Sequence, residues 1–499
     1  MMLMRRLLTH EAEGDVLAGR IAGAKLRIHK SSRIARGGRD RVVIINRDGC
    51  SEEDVSRLAG RVSGGAQVFS QGHPAKGGIC EIVMSGTLSE IEVALQTEKQ
   101  ARGGMITMDA LVETDQDWGI VPEVEMPSDA SMLQSRSLST SPTLSWGLDR
   151  IDDSQGLDQD YDASSWSSGK GVHVYILDTG IRTTHADFGG RAIPTLEVLA
   201  GGRVECDPAN TSCAMDRQGH GTHCAGGVGG KLYGVAKEVT LHAVKVMDDK
   251  GRGKMSYLLD ALTWILENGV SPKIASMSLG GVGTPQSVRD AIDAATQGGI
   301  TVVVAAGNND DLACNFSPAS VPSAITVGAT DSKDQRAWFS NYGWCLDIWA
   351  PGVRIISASH GSDKGSVKKS GTSMATPYVA GAAALVLGRY PGRSPAEVLE
   401  TLLAGATQGR LVDRKRGSPD FLLRIPRPER FGDPHQSGWW PSEGRAAWPP
   451  HGRAPEEDEQ DTSSRSRVSW LARRRRSTES RRPEGSEDAS HLSPIDFRW

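Results

Sequence analysis

The sequence predicts an α/β protein: a large core on buried parallel strands, with a smaller α+β unit ahead of it. Val172-His-Val-Tyr-Ile-Leu177 is apolar almost throughout and stops at an Asp, as a strand covered on both faces of a parallel sheet does. From Tyr378 to Leu387 the chain is nearly all Ala, Val, Leu and Gly. A helix apolar all round is a buried helix, and this run is too short to span a membrane. Between 39 and 116, strand-like runs alternate with amphipathic helical ones.

Length and composition agree. A chain of 499 residues exceeds one average domain, yet leaves room for one large α/β core and some non-globular sequence. Hydrophobic content of 38% with 58 Gly suits a loop-rich α/β protein, and a net charge of −4 gives no general attraction to nucleic acid or membrane. No apolar run reaches transmembrane length. The opening, Met1 to Glu11, carries charge but lacks the apolar core of a signal peptide. Seven Cys cannot all pair, and they lack the repeated Cys-x-x-Cys spacing of a zinc site. Cys206 with Cys213 closes a short loop and Cys314 with Cys345 a longer one; buried free thiols are the alternative for each.

In chain order, residues 1–38 are polar and Arg-rich and read as a leader or disordered arm. Residues 39–116 read as a small α+β unit. Arg41–Asn46, Gly78–Met84 and Met105–Val112 are its strands; Ser51–Val62 and Leu88–Leu95 are its helices. Ser51 followed by acids is a helix start. Residues 117–142, with Pro122, Pro127 and a Ser-rich run, read as an exposed, cleavable linker. The large domain spans 143–425, opening at Trp146–Ile151. Residues 426–499, rich in Pro, Arg, Glu and Ser, read as a disordered tail, and its Arg473–Arg476 run as a solvated charge cluster.

Three motifs in the large domain carry chemistry. Asp178-Thr179-Gly180 ends the first buried strand, at the sheet edge where open α/β folds hold ligands. Gln218-Gly-His220-Gly-Thr-His223 sets His220 among glycines; two His three apart also fit metal ligands, but no third ligand accompanies them. Gly371-Thr-Ser373-Met-Ala-Thr-Pro377 opens the buried helix, so Ser373 stands where free backbone N–H groups point. Each has a plainer reading, as turn or helix cap. Together they supply nucleophile, base and orienting carboxylate.

These motifs, in the order Asp, His, Ser, resemble the three signatures of subtilisin-like serine proteases. Gly219–Gly226 and Asn315–Ser320 make the chain most similar to the proteinase K branch. The resemblance runs from about Trp146 to Ile425. It implies a doubly wound, mostly parallel central sheet with helices on both faces, and a serine endopeptidase that needs no catalytic cofactor. It assigns Asp178, His220 and Ser373 as the triad and Asn308 as the oxyanion-hole side chain. Gly251, Arg252 and Gly253, with Ser278, Leu279 and Gly280, match the two segments that pair with substrate as edge strands. Gly280, Ala305 and Gly307 would line a roomy pocket without an acidic floor, for an apolar or aromatic residue ahead of the scissile bond. Arg252 stands where a small residue is usual and would favour acidic substrates; Tyr378 replaces a usual His.

The same resemblance implies a structural Ca²⁺ held by Asp347 and the backbone oxygens of Pro322 and Ala324. It places Cys314–Cys345 where some relatives have a disulfide, puts Arg217 and Asp249 where another pair would be, and makes Cys224 the branch's free thiol. Residues 39–116 become a ferredoxin-like inhibitory pro-domain, with Met108–Gln116 filling the cleft and self-cleavage in the linker. Protein or peptide substrates, the chain's own pro-domain as inhibitor, a monomer and a secretory destination follow from it. A binding-only pseudo-enzyme is disfavoured because all four polar residues are present. A non-protease hydrolase is disfavoured because both substrate-strand segments are.

Overall fold

The computed structural model describes residues 16–46, 49–62, 65–99, 106–124, 145–163 and 167–425. The first sheet contains Val16–Ile21 (β1), Ala24–His29 (β2), Asp40–Ile45 (β3), Gln67–Gln71 (β4), Glu81–Gly86 (β5) and Leu111–Thr114 (β6), in the order β1-β2-β6-β3-β5-β4. Glu52–Arg61 (α1) and Leu88–Lys99 (α2) connect its strands. From β3 to β6 the path is βαββαβ, the connectivity of a ferredoxin-like unit. Ser51 caps α1 in a reciprocal box with Asp54, as the sequence predicts.

Three expectations are corrected here. Residues 16–38, read as part of a disordered arm, supply β1 and β2, and β2 lies parallel to β6. The signal was a period of two: Ala24, Leu26 and Ile28 are buried while Lys25, Arg27 and His29 between them are not. Gln67–Gln71 adds a strand that carries no clean period of two, its burial alternation broken where the pairing with β5 shifts register. The strand expected at 105–112 begins at Leu111.

The chain continues through Asp117–Ile120 (β7), His173–Asp178 (β8), Ala192–Leu199 (β9), Gly202–Glu205 (β10), Thr240–Lys245 (β11), Arg252–Lys254 (β12) and Lys273–Met277 (β13). Then come Leu279–Val282 (β14), Ile300–Ala305 (β15), Phe316–Ser317 (β16), Ile325–Thr330 (β17), Ile348–Pro351 (β18), Ile355–Ala358 (β19) and Ser366–Lys369 (β20). The helices of this part are Trp146–Asp152 (α3), His220–Gly229 (α4), Met255–Asn268 (α5), Gln286–Gln297 (α6), Thr372–Arg389 (α7) and Pro395–Gly405 (α8). The central sheet runs β10-β9-β11-β8-β13-β15-β17-β18, and every pairing but β10 with β9 is parallel.

Helices cover both faces, as a doubly wound sheet requires. On β8, Val174 and Ile176 pack in one core with Val228 of α4 and Val379 of α7. Tyr175 and Leu177, pointing the other way, join Leu258 of α5 and Ile292 of α6 in a second core. Small residues in α4 let it sit close to its neighbours: a Cβ on Gly226 would lie 2.2 Å from Ser357 Oγ. The first unit docks on the second core. Val43 and Ile45 of β3, with Val83 of β5, are buried among the α5 and α6 side chains, whereas Val42 and Ile44 face α1 and α2. Two carboxylates of that unit also close helix starts: Asp115 accepts from Ser256 N (2.9 Å) at α5, and Glu113 from Ser287 N (2.8 Å) at α6.

Candidate active site

Asp178 is the last residue of β8, at the carboxyl edge of the parallel sheet, and is 1% exposed. The turn after it needs glycine: Gly180 has φ +102°, and a Cβ there would fall 2.3 Å from Ala214 O. His220 is the first residue of α4. Its Nδ1 lies 2.8 and 2.9 Å from the two Asp178 oxygens. A carboxylate only accepts, so Nδ1 carries the proton and Nε2 of the neutral ring is left as a base. Burial opposes the imidazolium, but the charge of Asp178 outweighs it and raises the His220 pKa above its ordinary value.

Asp216, which the sequence reading did not single out, holds this loop together. It accepts from Gly219 N (2.7 Å), Thr222 N (2.8 Å) and Thr179 Oγ1 (2.9 Å). Burial works against its charge, yet Thr222, Gly219 and Thr179 more than compensate and hold its carboxyl below the usual range. His223 belongs elsewhere: its Nε2 sits 3.1 Å from Ile355 O and 3.2 Å from Val367 O. The two His of the motif therefore form no metal pair.

Ser373 lies in the first turn of α7 and is 1% exposed. Pro377 lacks the N–H that would bond the Ser373 carbonyl in a regular helix. Cys224 Sγ (3.4 Å) and Ser278 Oγ (3.1 Å) donate to that carbonyl instead. Cys224 is also 3.8 Å from His220 Nδ1, so one sulfur separates the imidazole from the Ser373 backbone. Ser373 Oγ and His220 Nε2 are both buried, and neither has a hydrogen-bond partner. A buried hydroxyl and a buried ring nitrogen left without partners, on two residues that both touch Cys224, are costly for a core and suited to proton transfer.

Asn308 is aimed by the same helix start. Its Oδ1 accepts from Thr372 N and Thr372 Oγ1, each at 2.9 Å, which turns Nδ2 outward. There Nδ2 donates to Pro122 O at 2.7 Å. The linker's first residues are thus held in place rather than free: β7 lies antiparallel between β12 and β14, pairing Gly119 with Arg252 and with Gly280, and Ile120 with Leu279, with Trp118 and Val121 buried and Asp117, Pro122 and Glu123 exposed. Ile120 N donates to Gly251 O (3.0 Å), Val121 N to Ser278 O (3.1 Å) and Val124 N to Ser370 O (3.1 Å). The cleft is filled by 117–124 rather than by the expected 108–116. Residues 125–144 and the tail after 425 lie outside the described residues.

The remaining predicted residues are placed as follows. Gly253 pairs with Trp118. Arg252 is exposed and meets the cleft strand through its backbone. Ala305 ends β15, and Gly307, at φ +104°, donates to Thr372 Oγ1 (3.2 Å) beside Asn308. Asp347 is buried and its Oδ2 accepts from Thr326 N at 2.7 Å; Pro322 and Ala324 lie just ahead of β17. Among the described residues, Asp149, Asp152 and Asp153 also bring carboxylate oxygens within 4.8 Å of one another, and burial pushes the Asp152 carboxyl up to about 7. Tyr378, in place of a His, meets Ser145 Oγ at 2.8 Å and packs under the start of the large domain. Arg217 and Asp249 face each other as an ion pair at 3.9 Å.

Disulfides join Cys206 to Cys213 and Cys314 to Cys345, and Cys224 is free and buried. A third, Cys50–Cys80, was not foreseen; it needs the fold to bring together residues 30 apart. No helix among the described residues is long and apolar enough to cross a membrane.

Comparison with known proteins agrees with this architecture. The profile of the subtilase family matches residues 169–422. The chain is similar to the extracellular serine proteinase of Thermus sp. (strain Rt41A), 46% identical over 291 residues, 58% of this chain and 68% of that protein. Similarity to alkaline serine exoprotease A of Vibrio alginolyticus is 42% over 300 residues, 58% of this chain and 53% of that one. The crystal structure of a cold adapted subtilisin-like serine proteinase aligns with TM-score 0.52 and 41% identity, covering 57% of this chain and 99% of the other.

Proposed function

The chain belongs to the subtilase family and is a serine-type endopeptidase; from that premise we propose that it is a self-processing zymogen working through Asp178, His220 and Ser373. The observation that carries the reading is Asn308 Nδ2 donating to Pro122 O. It presents a peptide carbonyl to the residue assigned as oxyanion donor, on a strand hydrogen-bonded along both cleft edges.

In this reading Ser373 Oγ adds to the carbonyl carbon while His220 Nε2 takes its proton. Asp178 fixes the tautomer and steadies the imidazolium. Asn308 Nδ2 and the Ser373 N–H hold the oxyanion, a donor of this kind being worth about 3–4 kcal/mol. The proton passes to the leaving nitrogen, the C–N bond breaks, and water hydrolyses the Ser373 ester by the same route. The absence of an acidic residue from Gly280, Ala305 and Gly307 supports an apolar or aromatic residue ahead of the bond. Residues 16–116 act as the inhibitory pro-domain, anchored by Glu113 and Asp115 at two helix starts.

Three disulfides support an oxidising, secretory destination. A structural Ca²⁺ fits the buried Asp347 carboxylate with the Pro322 and Ala324 carbonyl oxygens, a hard-oxygen donor set. Bound there, the ion would neutralise a buried charge and tie β17 to the loop before β18. A melting temperature unchanged by EDTA, after confirmed removal of calcium, refutes it.

The deciding experiment expresses the full chain beside a Ser373→Ala partner and weighs the fragments. Loss of the first 115–145 residues or so in the active chain alone is expected. An unprocessed wild-type chain, inert toward unfolded protein, refutes the reading.

A further inference from the structure

From the way the cleft strand leaves the site, we infer that Lys369 selects an acidic side chain on the residue that follows the scissile bond. The inference rests on the protease reading above. Pro122 O is the carbonyl held by Asn308, so the next residue along, Glu123, lies on the leaving-group side. Glu123 Oε1 is ion-paired with Lys369 Nζ. One residue further, Val124 N donates to Ser370 O at 3.1 Å, which fixes the backbone as it passes Lys369.

Lys369 is built into the wall of the site. It is the last residue of β20, opposite Ile355 of β19, and directly precedes the segment that leads to Ser373. Its side chain is 11% exposed, against 33% for Glu123. An ammonium this far out of water needs a carboxylate nearby or loses much of its solvation. His223 is also near it, and burial, followed by the charge of Lys369, pushes that imidazole down to about 3. A neutral ring gives the ammonium no charge to pair with. The partner comes from the peptide in the cleft, and when 117–124 departs a substrate must replace it.

A Glu or Asp after the bond would restore the pair, while a Lys or Arg there would set two cations together. The chemical step is unaffected: the acyl part goes to Ser373 Oγ, and the nitrogen of the acidic residue leaves with the proton carried by His220. Lys369 acts on the fit of the leaving half. Arg252, the sequence-based candidate for acid preference, pairs with Gly119 of the strand through its backbone.

The test uses the self-processed enzyme and peptides sharing one apolar residue before the bond, with Glu, Gln or Lys after it; mass analysis locates the cut. For the wild type we expect kcat/KM for Glu to exceed that for Lys by about tenfold or more. Lys369→Ala should bring the ratio near one, and Lys369→Glu should invert it. The inversion is a gain on the Lys peptide, which a misfolded variant does not give. A wild-type ratio at or below one, or a ratio unchanged in both variants, overturns the assignment. Failure to cut any peptide or unfolded casein refutes the protease reading itself and this inference with it.

Discussion

Glu81 makes the contact between the first unit and the large domain sensitive to alkali. It lies on β5, fully buried, with Oε1 accepting from Thr263 Oγ1 at 3.0 Å and Oε2 without a partner. Asp260 of α5 faces it, held by Arg203 of β10 and with its own Oδ2 unpartnered; Glu267 and His73 are close by. Burial, and then the Asp260 charge, push the Glu81 carboxyl up to about 8. Docked, Glu81 keeps its proton at neutral pH; once the units part, it returns to the ordinary 4.5. The docked form therefore binds more protons between those values, so docking is strongest below 4.5 and weakens as pH rises toward about 8. At about 1.4 kcal/mol per unit, that gap is on the order of 5 kcal/mol. The perturbation is Glu81→Gln, which keeps the shape and the Thr263 contact without the proton. In an uncleaved Ser373→Ala chain, hydrogen exchange should show the opening free energy of β5 falling by several kcal/mol from pH 5 to pH 9. With Glu81→Gln it should stay nearly flat. An equal pH dependence in both chains refutes the reasoning.

Other expectations follow from the site and the core. Asn308→Ala should lower kcat about 10²–10³-fold with little change in KM, read from steady-state kinetics on a peptide substrate. Because Asp178 raises the His220 pKa, the acid limb of the kcat/KM profile should have its midpoint above 6.5. His242, stacked on Tyr175 and bonded to Thr195 Oγ1 (2.9 Å), is pushed by burial down to about 3. The unfolded chain binds that proton first, so stability is full above pH 6.5 and is lost as pH falls toward 3; His242→Gln should flatten the fall of Tm across that range. Separating Cys314 from Cys345 by a double Ser substitution should cost about 3–4 kcal/mol in denaturant unfolding, the loop-closure entropy of that span.

Sequence alone determined the parts whose chemistry is local. A strand ending in Asp178, a glycine-flanked His220 and a hydroxyl at the head of an apolar helix are each written in a few adjacent residues, and their order narrows the family. The apolar runs of β8 and α7 likewise announce burial, because covering both faces of a strand or every side of a helix leaves no polar period. Tertiary structure alone decided which atoms meet. Asp216, Thr372 and Cys224 organise the site from 37, 64 and 149 residues away from the Thr179, Asn308 and Ser373 atoms they bind. No local pattern encodes such distances. The strand pair at 16–29 was hidden because Arg, Lys and His give the segment a polar composition, although they alternate with the buried Ala24, Leu26 and Ile28. Pro122 and Glu123 read as linker because Pro and acids favour exposure. Only their place just beyond β7, with the Pro122 carbonyl against Asn308 and the Glu123 carboxylate against Lys369, makes them occupants of the cleft.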